Sequence, residues 1–94
     1  MAWTLDDMIK ERKDRDKIFD IIREMGLYDK SKELNVRAEI EKLKPILQKE
    51  KIDPAGNVMQ KELSDAVAKL QNVNPEKAKK LSELQEELKK MKLA

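Results

Sequence analysis

Thr4, Ser31, Ser64 and Ser82 are the hydroxyls through which this chain could attempt nucleophilic chemistry. An alcohol at neutral pH needs a positioned base to take its proton, and the sequence holds no histidine to serve as one. It holds no cysteine either, so Ser-His and Cys-His pairs, thiolate and imidazole metal sites and disulfides all lack their parts. The carboxylates stand beside lysines on charged faces, where burial has little opportunity to tune them into an acid–base pair. Gly26 and Gly56 are too far apart to build a phosphate-cradling loop. These residue types predict no catalytic centre, no cofactor, no metal and no small-molecule substrate.

Two segments still invite a chemical reading. Lys51 to Glu62, followed by Leu63, resembles an EF-hand loop, with Gly56 at the sharp turn, Val58 two residues on and Glu62 as the closing acid. A calcium loop also needs oxygen ligands at its first and fifth positions, and Lys51 and Ala55 stand there; only Asp53 and Glu62 match. The same letters serve as a proline turn followed by a capped helix. Met59 to Ala66 resembles the opening of the second helix in helix-turn-helix repressors. That resemblance implies a recognition helix from Pro75 within residues 58–92, offering Lys77, Lys79 and Lys80 to phosphates. It departs from the pattern in its late, glycine-free turn, and no Arg, Asn or Gln stands in the first turn to read base edges.

The 94 residues comprise 21 Lys and Arg against 19 Asp and Glu, 43% charged in all, with a net charge of +2. The first 47 residues carry 11 of each sign and the remainder 10 against 8, so neither half is a basic tail. No apolar run is long enough for a membrane span or a signal-peptide core, and the cytoplasm is the expected location. Disorder goes with large net charge and sparse aliphatics, neither of which applies. Three aromatics, two glycines and three prolines in a chain rich in Leu, Lys and Glu favour helix over sheet.

The apolar residues recur at helical spacing between recognisable ends, and four helices are expected, near 5–25, 31–51, 58–71 and 75–92. Thr4 caps the first, with Asp6 and Asp7 facing its positive end and Trp3 against Met8 as a staple. Gly26 ends it in a left-handed C′ conformation, with Leu27 folding back on Ile22. Asp29, Ser31 or Asn35 caps the second, whose seam is Val36, Ile40, Leu43 and Leu47; Pro45 should kink it or restart it. Asn57 with Gln60 forms a capping box for the third, with Met59, Leu63, Ala66, Val67 and Leu70 as its buried face. Asn74-Pro75 restarts the chain into the fourth, where Ala78, Leu81, Leu84, Leu88 and Met91 share a face. Glu76 with Lys80 and Glu86 with Lys90 have the spacing of surface ion pairs. The expected fold is all-α in a single domain over residues 1–94: a small four-helix bundle or two packed helical hairpins.

The first helix does not suit a simple bundle. Leu5, Met8 and Ile9 lie on one side, whereas Ile18, Ile21, Ile22 and Met25 centre roughly 150° away at about 100° per residue. Eight consecutive charged residues, Lys10 to Lys17, separate them. Either the helix breaks in that run or its ends bury against different surfaces. The second alternative makes Trp3, Leu5, Met8 and Ile9 an anchor for another subunit or a partner protein, with Leu84, Leu88 and Met91 as a further contact surface. The expected function is a non-enzymatic helical interaction or assembly module, acting as a homo-oligomer or on a protein partner. A nucleic-acid-binding regulator using Lys77, Lys79 and Lys80 is the alternative.

Overall fold

The computed structural model describes residues 3–91, and among them places four helices: α1 (Leu5–Glu24), α2 (Val36–Glu50), α3 (Asn57–Val73) and α4 (Pro75–Lys90). The fold is an all-α four-helix bundle. Its principal packings are α3 on α4, α1 on α3 and α2 on α4, so the lateral order is α1, α3, α4, α2. Two packed hairpins of sequence neighbours are therefore not what forms; only α3 and α4 are adjacent both in the chain and in the principal packing. The single residue Asn74 joins them. Gln85 of α4 meets Gln60 and Ser64 of α3, about as far back from the turn, which makes the pair antiparallel. α1 runs alongside α3 in the same direction, for Arg15 lies 4.0 Å from Glu62 and the end of α1 meets the start of α4 through Lys77.

Local chemistry explains the ends. Thr4 accepts from the Asp7 amide and Asp7 returns a bond from the Thr4 amide, each at 3.1 Å, completing a reciprocal cap. α1 then runs unbroken through Lys10–Lys17, because Lys10–Asp14 and Glu11–Arg15 pair at four-residue spacing along it. Gly26 takes φ +63 and its amide donates to Arg23, as expected of a left-handed ending. The companion bond from the Leu27 amide to Ile22 is not formed; the Gly26 carbonyl instead accepts from the Asp29 amide and from Lys77.

Several expectations need correction. α2 begins at Val36 rather than near residue 31, because Asn35 is the cap and accepts from the Ala38 amide at 3.0 Å. Asp29 and Ser31 are spent on a local turn, in which the Ser31 amide and hydroxyl both donate to the Asp29 carboxylate. α2 continues through Pro45 without restarting, since Pro45 and Glu41, whose carbonyl loses its donor, both face water. The N-cap of α3 is Gly56, with no side-chain bond; Asn57 is already helical, and Gln60 donates to the Pro54 carbonyl at 2.8 Å instead of closing a capping box. α3 extends to Val73 and α4 stops at Lys90. Lys92, expected in the last turn of α4, lies outside the described residues. Glu86 pairs with Lys89 rather than Lys90, and Glu76 makes no ion pair with Lys80.

The ending of α2 had no glycine to announce it. Lys51 adopts the left-handed conformation at φ 55, its amide donates to Gln48, and the Ile52 amide donates back to Leu47. Those two bonds are a Schellman ending, and Ile52 is buried behind it.

The core draws on every helix: Ile18 and Ile21 of α1, Leu43 and Leu47 of α2, Met59, Leu63 and Leu70 of α3, and Leu81, Leu84 and Leu88 of α4, joined by Leu27, Leu34 and Ile52 from the connections. α4 lies between α2 and α3 and is covered on both flanks. α1 lies against α3 and, through Lys17, Asp20, Ile21 and Glu24, lines a small cavity with Ile46, Lys49 and Glu50 of α2, while its first turns overhang.

Candidate interaction surface

Trp3, Leu5, Met8 and Ile9 are 62%, 72%, 56% and 45% exposed, and Phe19 further along α1 is 48% exposed. At about 100° per residue, Leu5, Met8, Ile9 and Phe19 fall within an arc of about 100°, roughly 160° from the core-facing Ile18, Ile21 and Met25. α1 thus has two apolar faces. One is buried along its C-terminal half; the other runs along its outer side from the first turn to Phe19. Only Arg12 and Asp16 interrupt the outer face, and neither has an ion-pair partner among the described residues.

Beside Phe19 the outer face opens into a groove of about 670 Å³ between α1, α3 and the turn after α1. Ile22, Leu27, Tyr28 and Ala66 form its floor and walls with Phe19, and Arg15, Arg23, Lys61 and Lys69 mix with Asp29, Glu62 and Asp65 around it. Sequence reasoning proposed the N-terminal anchor but missed this continuation. Phe19 was legible, since it sits on the Met8 side of the helical wheel; Tyr28 was not, because only the turn at Gly26 brings it there.

The other proposed contacts are used within the chain. Leu84 and Leu88 are completely buried in the core, so they present no free surface, and Met91 is half-buried against the same cluster. A narrow leucine seam at the chain's end would suit pairing across copies, but α2 and α3 close over it. Lys77, proposed for phosphate contact, is 5% exposed, and its amine donates to the carbonyls of Gly26 at 3.0 Å and Asp29 at 2.8 Å. It caps the C-terminal end of α1, where the helix dipole places negative charge. Lys79 and Lys80 remain exposed.

The candidate nucleophiles also have structural partners. Thr4 is the cap of α1, Ser31 donates to Asp29 at 2.7 Å, and Ser64 accepts from the Gln85 amide at 2.8 Å; Ser82 is exposed on α4. The Asp29 carboxyl is held below its ordinary value of 3.8, first by the Ser31 hydroxyl and amide and then by the positive charges of Lys32 and Lys77. In the segment resembling an EF-hand loop, Asp53 accepts from the Ala55 amide to close a turn, whereas Glu62 lies on α3 facing Arg15. Among the described residues no group of three or more acidic side chains converges on a point that could hold a metal ion, and no helix is long and apolar enough to cross a membrane. No family of proteins, no curated protein and no solved structure matches the chain.

Proposed function

We propose that this protein is a helical assembly module that associates with a second copy of itself through the outer face of α1. The observation that carries this reading is the exposure of Trp3, Leu5, Met8 and Ile9 together on the overhanging first turns of α1. Scattered surface apolar residues need no explanation, but four large ones in seven positions make a contiguous patch, which marks a contact surface. Each large side chain buried contributes about 1.5–3 kcal/mol, and several acting together offset the cost of association. The charges around them set partner choice and register. The burial of Lys77 weighs against the alternative of a nucleic-acid regulator, leaving Lys79 and Lys80 of the three lysines proposed for it.

Sedimentation equilibrium over a concentration series tests the reading. The expected result is a reversible oligomer, far less sensitive to salt than nucleic-acid binding is, that becomes monomeric with Met8→Asp while helical content is retained. A strict monomer at high concentration, or duplex DNA binding that weakens steeply with salt and is untouched by Met8→Asp, would overturn it.

A further inference from the structure

The middle of the outer face of α1, from Ile9 to Phe19, is symmetric in character about residue 14, whereas Met8 and Leu5 beyond it have Asp20 and Arg23 as counterparts, whose stems would lie over them. Reading along it, Ile9 and Arg12 precede the middle of the helix and Asp16 and Phe19 follow it at about the same distances, so reversing the helix exchanges apolar for apolar and positive for negative. Resting on the self-association read above, we propose that the second copy lies with its α1 antiparallel across this face, on a two-fold axis near residue 14. Arg12 then meets the partner's Asp16, Asp16 meets the partner's Arg12, and Ile9 and Phe19 cover one another twice. A two-fold contact must be self-complementary in this sense, because each residue that touches the partner is touched in return.

Three observations select this arrangement. Arg12 and Asp16, like Lys13 and Lys17, lack ion-pair partners among the described residues, but of these four only Arg12 and Asp16 lie on the outer apolar face. A parallel pairing would set Arg12 against Arg12 and Asp16 against Asp16, the like-charge juxtaposition that specific interfaces avoid. The face is also unobstructed, since the core lies on the opposite side of α1 and Met8, Ile9, Arg12, Asp16 and Phe19 are all exposed. Arg15, at the margin of the face, keeps its charge balanced by Glu11 at 2.8 Å and Glu62 at 4.0 Å.

Charge reversal separates this geometry from self-association in general. Arg12→Asp and Asp16→Arg, each alone, are expected to raise the dimer dissociation constant about tenfold, because each creates two like-charge contacts; the double variant should return to within about threefold of the original. Both positions are in exposed helix, and circular dichroism verifies that each variant folds. In the naturally cysteine-free chain, Ile9→Cys mixed with Phe19→Cys should form a disulfide-linked mixed dimer under mild oxidation, while neither variant links to itself. Failure of the double variant to restore affinity, or preferential linking of Ile9→Cys to itself, would overturn the antiparallel register and leave self-association standing. A wild-type chain that stays monomeric would overturn both.

Discussion

The two ends of α1 carry matched apolar sets and meet opposite fates. Trp3, Leu5, Met8 and Ile9 stand in solvent, whereas Ile18, Ile21, Met25 and Leu27 at the other end are buried against the rest of the chain. Composition does not separate them; position does. The C-terminal half lies on α3 and is tied down by Lys77, while the N-terminal half overhangs, with its long-range polar tether a bond from the Lys10 amine to the Lys51 carbonyl at 3.1 Å. α4 repeats the lesson from the other direction. Its leucine seam has the pattern of a pairing helix, yet Ala78, Leu81, Leu84 and Leu88 are all completely buried against α2 and α3. An apolar stripe states that something must cover it, and the order of packing decides whether that cover comes from the same chain.

The comparison breaks most sharply on paired truncations. Ile18→Ala, at a side chain with no exposure, should lower stability by about 2–5 kcal/mol in urea unfolding, whereas Met8→Ala should leave the monomer within about 0.5 kcal/mol of wild type. Equal losses at the two positions would mean that the N-terminal face is covered within the chain. Next in size is the tie at the covered end. Lys77→Ala removes two charge-assisted bonds to the carbonyls of Gly26 and Asp29, with an expected loss of about 1.5–3 kcal/mol and the earliest increase in amide exchange around residues 26–29.

The tethered end of α2 offers a gain instead. Lys51 holds a left-handed conformation that a side chain disfavours, so Lys51→Gly should raise thermal stability by about 0.5–1 kcal/mol, provided that the backbone carbonyl still receives the Lys10 bond. The smallest effect concerns acid. Because the Asp29 carboxyl is depressed in the folded chain, its stabilising contribution is complete above its ordinary value of 3.8 and is lost as pH falls through the lower folded value. Ser31→Ala removes the largest cause of that depression, so the variant should melt slightly below wild type near neutrality, and the two melting temperatures should converge as pH falls below about 4.

Much of the fold was legible because the chain writes its ends in local chemistry. Thr4, Gly26, Asn74 and Pro75 act on amides and carbonyls within a few residues, and each does in the structure what its type implies. Asn35 was one of three legible caps, and only the distribution of bonds chose it over Asp29 and Ser31. The Lys51 ending was hidden, because a lysine in left-handed geometry is held there by the burial of Ile52 and by the packing of α2, which no local pattern announces. Of the proposed contact surface, the N-terminal anchor stood out through its mismatch with the helix's own buried face. The Leu84 and Leu88 seam was equally apolar in pattern and only burial removed it from consideration.

Sequence alone determined that this chain is helical, where most of its helices begin and end, and which residues seek to leave water, because capping, dihedral preference and periodicity act over a single turn. Tertiary structure decided which apolar faces find partners at home, that the Lys77 amine is spent on the carbonyls at the end of α1, and that the outer face of α1 stays exposed. Those outcomes depend on contacts between residues far apart in the chain, and burial is a property of the whole assembly of helices rather than of any one of them.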